Sequence, residues 1–139
     1  MTDSIAATTT YKPSLCQDWT TKAGLRAAVY ATVLGHLCGY VAVPKGHPLY
    51  TVDYEDCYNF KVHGGLTFAT DDPGYPAPGV DLWWFGFDCA HAGDGPDPQW
   101  KNPYGKSLRL YGVFRDEAYV MAECESLAQQ IVEATNGHD

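Results

Sequence analysis

The chain has 139 residues, five cysteines and a formal charge of −8, with nine Lys and Arg against seventeen Asp and Glu. The length fits one domain, the 45% apolar content is too high for a disordered chain, and no apolar run reaches the roughly 18 residues of a membrane-spanning helix. The shortage of basic residues argues against binding to duplex nucleic acid, and an odd number of cysteines without a CxxC pair argues against a disulfide framework or a zinc ribbon.

The N-terminal segment is polar and rich in threonine, so we predict a flexible tail over residues 1–15 and a single domain over residues 16–139. The segment lacks the basic start and apolar stretch of a secretory signal. We therefore expect the protein to act in the cytoplasm.

Two apolar runs follow, at residues 25–34 and 37–43, and Gly35-His36 separates them. Their β-branched and aromatic residues favour a β-hairpin. Alternation places Ala27 and Val29 on one face of the first arm and Arg26 and Tyr30 on the other. A helix over residues 25–34 is the competing prediction, because alanine is frequent there.

Two further strands are predicted downstream of the hairpin. Residues 60–68 read as a strand interrupted by Gly64-Gly65, and residues 81–89 read as the central strand because they combine aromatic content with clear alternation. Residues 90–105 are rich in Gly, Pro and Asp, which predicts an extended loop or a lid.

A helix is predicted from Asp116, since acidic residues occupy its first turn and Asn136-Gly137 suits its end. Its apolar stripe consists of Ala118, Met121, Cys124, Ala128, Ile131 and Val132. The sequence therefore predicts an α+β fold, an antiparallel sheet with one long C-terminal helix packed on one face.

Polar residues are densest in two segments, 62–67 and 87–94, and each segment leaves an apolar strand. If the strands pair, these side chains meet at one end of the sheet, and the adjacent glycines leave backbone N–H groups for a ligand. We predict a noncatalytic site for a small polar ligand, formed by His63, Gly64, Gly65, Thr67, Trp84, Asp88, His91 and Asp94. The competing interpretation is structural, with the aspartates capping turns and the histidines hydrogen-bonded at the sheet edge.

A metal-dependent hydrolase is one catalytic alternative for this region. Its ligands would be the two histidines with one nearby carboxylate or thiol, namely His63 and His91 with Asp88, Asp94 or Cys89. The spacing matches no zinc motif with a built-in geometry, so no metal or other cofactor is predicted.

A thiol nucleophile is another alternative, with Cys89 paired to His91 or Cys38 paired to His36. Free cysteines are more often small buried residues, which favours a packing role.

An acidic, tyrosine-rich loop offers a surface for a partner protein, with the residues Tyr50, Tyr54, Asp56 and Tyr58. A protein-interaction module is therefore a further alternative. Assembly of several copies is compatible with this sequence, and a membrane partner is not expected.

Four strings carry a resemblance to a known group. They are Gly-His-Leu-Cys-Gly-Tyr-Val-Ala-Val-Pro-Lys-Gly-His-Pro (35–48), Val-His-Gly-Gly-Leu-Thr-Phe (62–68), Trp-Trp-Phe-Gly-Phe-Asp-Cys-Ala-His-Ala-Gly-Asp (83–94) and Ala-Glu-Cys-Glu-Ser-Leu-Ala (122–128). Over about residues 25–132 the chain resembles small uncharacterised proteins encoded by phages of actinobacteria. The resemblance implies a viral accessory protein in the bacterial host cytoplasm, with a counter-defence role such as sequestering a nucleotide-type signal. It implies no catalytic residue.

Overall fold

The computed structural model describes residues 13–91, 94–95 and 113–136. A five-stranded antiparallel sheet has the order β1-β2-β3-β5-β4, and one long helix, α1, packs on one of its faces. The bounds are β1 (Ser14–Thr20), β2 (Arg26–Ala31), β3 (Leu37–Pro44), β4 (Phe68–Thr70), β5 (Leu82–Asp88) and α1 (Glu117–Thr135). A separate two-stranded parallel sheet consists of β6 (Asp94–Gly95) and β7 (Val113–Phe114). The predicted α+β architecture is confirmed.

The predicted hairpin is formed by β2 and β3, which pair antiparallel with Ala31 opposite Leu37. Gly35 has a φ of 86°, so the turn uses the left-handed conformation that glycine tolerates. Ala27 and Val29 face α1 as predicted, and the competing helix over residues 25–34 is excluded.

Strand β5 lies inside the sheet, between β3 and β4. Its alternation is as predicted: Phe85 and Phe87 pack in the core under α1, whereas Trp84 packs in a smaller core on the opposite face, which we call the second face. The buried Pro76 and Ala77 belong to the turn-rich segment between β4 and β5, and Ala77 packs against Trp84 there.

Helix α1 begins where the sequence predicts, because the Asp116 carboxylate accepts a hydrogen bond from the Tyr119 N–H at 2.9 Å. Its buried residues include the predicted Cys124, Ala128 and Ile131. Gly39 on β3 permits the close approach of the helix, since a Cβ there would overlap the Phe87 ring and lie 2.9 Å from Cys124 Sγ.

Two local predictions were wrong. Residues 60–67 form no strand, because Gly64 and Gly65 both have left-handed φ values, and the segment bonds to α1 instead, with the Lys61 N–H donating to Gln130. Strand β1 was not predicted, and it begins at Ser14, inside the proposed tail.

Most of the predicted loop at residues 90–105 lies outside the described residues, as do residues 1–12 of the tail and Gly137. Within the described ranges, no helix combines the length and apolar character needed to cross a membrane.

Candidate functional site

The two polar segments meet in space, as the sequence predicts. His63 Nε2 lies 2.7 Å from Asp94 Oδ2, and His63 Nδ1 lies 2.8 Å from the Tyr119 hydroxyl. Arg115 Nε donates to Asp94 Oδ1 at 2.9 Å, and the His91 N–H donates to Asp94 Oδ2 at 3.1 Å. These five side chains or backbone groups form one connected polar cluster, which we call the His63 network.

The His63 network is buried and internally satisfied. The Asp94 side chain is only 1% exposed and that of His63 is 14% exposed. Both imidazole nitrogens of His63 have partners, and its backbone N–H donates to Glu123 of α1 at 2.7 Å. The network therefore joins two loops to the start of α1, which matches the structural interpretation of these residues better than an open ligand site.

Electrostatics in the network favour an ionised aspartate. Burial acts to raise the pKa of Asp94, but the hydrogen bonds from His63, Arg115 and the His91 N–H outweigh it and hold this pKa below its usual range. The same carboxylate raises the pKa of Arg115. The ionised pair stabilises the loop that carries β6.

The predicted glycines have separate roles. A Cβ on Gly64 would overlap the imidazole of His91, so glycine permits this ring to rest against the turn, whereas a Cβ on Gly65 would have no atom within 4 Å. His91 Nε2 also lies 3.3 Å from Asp88 Oδ1, without a hydrogen-bond geometry. His91 thus links the network to the second face.

Thr67 and Asp88 lie on that second face, apart from the His63 network. Thr67 Oγ1 donates to Asp88 Oδ2 at 3.3 Å, and the Ala90 N–H donates to Asp88 Oδ1 at 3.1 Å. Both residues line a cleft of about 340 Å³, which we call the tyrosine cleft. The cleft is lined by Cys38, Tyr40, Thr67, Phe68, Tyr75, Phe87 and Asp88.

Three aromatic rings dominate the tyrosine cleft. The ring centroids are 5.5 Å apart for Tyr40 and Tyr75, and 6.1 Å apart from Phe68 to each of them. The Tyr40 and Tyr75 hydroxyls are hydrogen-bonded to each other. Gly86 allows this packing, because a Cβ there would lie 2.7 Å from the Tyr40 ring.

The sequence did not single out these three aromatic residues. A signal for them exists in the sequence, because the two-residue spacing of Cys38 and Tyr40 puts both on one face of a strand, and a glycine between Phe85 and Phe87 is typical of a close approach. Tyr75 carried no such signal, because its position depends on how residues 71–81 fold back over the sheet.

Trp84 belongs neither to the His63 network nor to the lining of the tyrosine cleft. It is fully buried beneath Ala77 on the second face, and the Arg26 guanidinium lies 5.5 Å from its ring centroid. Trp84 lies four residues before Asp88 on β5, so both side chains point to the second face, but the segment that contains Ala77 covers Trp84. Trp84 therefore packs in the core of the second face, and its contact with a ligand stays a prediction.

The chemistry of the thiols argues against a nucleophile. Burial, followed by the nearby Asp88, raises the pKa of Cys38 to about 11, and burial followed by Asp94 raises that of Cys89 to about 12. Burial lowers the pKa of His36. Both thiols are protonated at neutral pH, in keeping with a packing role.

The described residues contain no group of three His, Cys, Asp or Glu side chains arranged to hold a metal ion. Both ring nitrogens of His63 already have hydrogen-bond partners, the Tyr119 hydroxyl and the Asp94 carboxylate. The part of the chain that the structure describes thus gives no support to the hydrolase alternative.

A second cavity, of about 350 Å³, lies beside the tyrosine-rich loop. We call it the Tyr54 groove, and its lining consists of Tyr54, Glu55, Cys57, Tyr58, Asn59, Phe60, Gly65 and Leu66. Of the predicted protein-binding residues it contains Tyr54 and Tyr58.

Comparison of the chain with protein-family models, curated proteins and solved structures found no match in any of the three.

Proposed function

We propose that this protein is a noncatalytic binding protein that holds a small polar ligand in the tyrosine cleft. The observation that carries the proposal is the convergence of aromatic rings, a hydroxyl and a carboxylate on one cavity of about 340 Å³. Ligand sites are typically cavities of about 300–1,000 Å³ with apolar walls and a few polar groups that fix orientation. The cleft is at the small end of that range, which favours a compact ligand.

The polar groups of the tyrosine cleft are suited to recognition. Thr67 and Asp88 offer a hydroxyl and a carboxylate at one side, while Tyr40 and Tyr75 offer phenol groups at another. The one thiol among the described lining residues, Cys38, is held protonated by its burial. These properties support binding without covalent chemistry.

The resemblance to phage proteins supplies a setting for this activity. We propose a viral accessory role in which the protein sequesters a host metabolite, including a nucleotide-type signal, as a counter-defence. Tyrosine rings are suitable partners for a planar base. The described lining contains no cation for a phosphate, so this cleft is better suited to a base or another planar polar group than to a phosphate.

The test is a thermal-shift screen of the full chain against nucleobases, nucleosides, nucleotides, amines and sugars at millimolar concentration. A ligand that binds the folded protein and not the unfolded chain raises the melting temperature, by an amount that grows with the logarithm of its concentration above Kd. We expect at least one class to stabilise the wild type and Tyr54→Ala, which alters the other cavity, but not Tyr75→Ala. The proposal is wrong if no class stabilises the protein, or if Tyr75→Ala responds like the wild type.

The Tyr54 groove supports a second candidate, a surface for a host protein. Tyrosines beside Glu55 are typical of an interface that receives a basic or aromatic side chain. Affinity capture from host lysate with wild type and with Tyr54→Ala tests it, and equal recovery of every protein by both would contradict it.

A further inference from the structure

Building on the tyrosine cleft as the proposed ligand site, we infer that its ligand is a small organic cation, a quaternary or protonated ammonium group on a short apolar or aromatic body.

The charge of the cleft is negative. Asp88 is the only carboxylate among the described residues that line it, and no Lys, Arg or His is among them. The two arginines of the described residues already have carboxylate partners, since Arg26 bonds to Asp18 at 2.6 Å and Arg115 bonds to Asp94 at 2.9 Å. An anionic ligand would meet a carboxylate without a compensating cation, whereas a cation would gain an ion pair.

The ring geometry suits a cation. The planes of Tyr40, Phe68 and Tyr75 are mutually close to perpendicular, at 79°, 81° and 86°. Each pair of rings is arranged edge to face on the wall of the cleft, and the negative π faces of aromatic rings attract ammonium groups. Clusters of aromatic rings recognise quaternary and methylated ammonium groups in this way.

The Asp88 carboxylate has acceptor capacity to spare. A carboxylate has about four acceptor positions, and from the described residues Asp88 accepts two hydrogen bonds, from the Thr67 hydroxyl and the Ala90 N–H. Its side chain is 33% exposed, so a ligand can reach it. His91 Nε2 at 3.3 Å is the group that would compete for this carboxylate when protonated.

The size of the site limits the cation. A cavity of about 340 Å³ accommodates a molecule of the size of choline or benzylamine rather than a peptide. The net charge of −8 also concentrates cations near the protein at low ionic strength.

The decisive experiment compares each cation with a neutral molecule of the same shape. Choline is paired with 3,3-dimethylbutan-1-ol and benzylamine with benzyl alcohol, and binding to the full chain is measured by titration calorimetry at low and high salt. We expect the cation of at least one pair to bind tenfold or more tightly than its neutral partner, and the preference to weaken as salt increases.

Two variants locate the effect. Asp88→Asn keeps the shape of the side chain and should reduce the preference for the cation to threefold or less, while the matched variant Glu55→Gln in the Tyr54 groove should leave it unchanged. The N-methyl proton resonances of choline provide a second readout on the wild type alone, since contact with ring faces shifts them upfield.

The outcomes separate this inference from the proposed function. If neutral partners or other compounds bind in the cleft and cations have no advantage, the cation inference is wrong and the ligand-binding function stands. If neither these pairs nor the broad screen yields binding, both are wrong. Cation binding that survives Asp88→Asn unchanged also overturns the inference, because the cation would then lie elsewhere.

Discussion

The Asp94 carboxylate is the single side chain on which the His63 network depends. It accepts hydrogen bonds from the His91 N–H and Arg115 and lies within hydrogen-bond distance of His63, while itself being almost fully buried. A buried acceptor of this kind is costly to neutralise, because its donors lose a charged partner at once.

Asp94→Asn should therefore lower the free energy of unfolding by about 1.5–3 kcal/mol, the range for hydrogen bonds to charged groups. The measurement is urea denaturation followed by circular dichroism. The control is Asp71→Asn, an exposed residue in the segment after β4, for which a change near zero is expected. Equal stability of Asp94→Asn and the wild type would contradict the assignment.

At this scale the sequence located the network but not its role. The spacing of His63 and Asp94 beside glycines indicated that two segments meet, and they do. The sequence could not show that Tyr119, 56 residues from His63, occupies the imidazole's other nitrogen. Whether a polar cluster is open or satisfied depends on such distant partners.

At the scale of elements, Gly39 sets the distance between β3 and α1. A side chain there would overlap the Phe87 ring and crowd Cys124, both of which lie in the core with no room to move. Overpacking of a well-packed core costs about 1–3 kcal/mol.

Gly39→Ala should accordingly destabilise the protein by about 1–3 kcal/mol, measured by the urea midpoint. Gly74→Ala is the matched control, because its added Cβ would have only Asp72 Oδ1 nearby, at 3.6 Å, and no left-handed φ is required there. If the two variants were equally stable, close packing of α1 on β3 would not be the reason for glycine at position 39.

The elements that the sequence predicted are those with a regular apolar period. The hairpin, β5 and α1 each present one continuous apolar face, so local pattern and final position agree. Strand β1 lacks such a face. It is held in the sheet by its pairing with β2 and by the Trp19 indole N–H, which donates to Glu125 of α1 at 2.8 Å. Elements held by tertiary contacts cannot be found from period alone.

At the scale of the whole molecule, three carboxyl groups of the described residues have lowered pKa values. The Arg26 hydrogen bond lowers the pKa of Asp18, and the Trp19 indole and the Lys22 N–H lower that of Glu125. At Asp94, burial opposes the hydrogen bonds from His63 and Arg115, which prevail. A lowered folded pKa means that the unfolded chain takes up protons first as the solution is acidified.

We expect the stabilisation from these groups to be fully present above the unfolded pKa values, about 3.9 for Asp and 4.3 for Glu, and to be lost as pH falls through the lower folded values. Urea midpoints measured from pH 6 to pH 3 test this, at high ionic strength to suppress repulsion within the acidic chain. Asp94→Asn should show a shallower decline than the wild type. A midpoint that stays constant or rises on acidification would contradict the prediction.

The five thiols report on the integrity of the whole core. Cys38, Cys89 and Cys124 are buried, and burial raises the pKa of Cys38 to about 11 and that of the other two to about 12, whereas Cys16 and Cys57 are half-buried. Only the thiolate reacts, so both access and charge protect the buried three.

Native protein treated with iodoacetamide at neutral pH should therefore be alkylated at Cys16 and Cys57 long before the other three, as measured by peptide mass spectrometry. Burial also raises the pKa of these two half-buried thiols, so they should react more slowly than a free cysteine. In denaturing urea all five should react at similar rates.

Gly39→Ala should selectively speed the labelling of Cys124, because the Cys124 side chain lies against position 39. Native labelling of Cys89 or Cys124 as fast as Cys57 would show that the helix and sheet do not enclose these thiols, and the packing of α1 on the sheet would have to be revised.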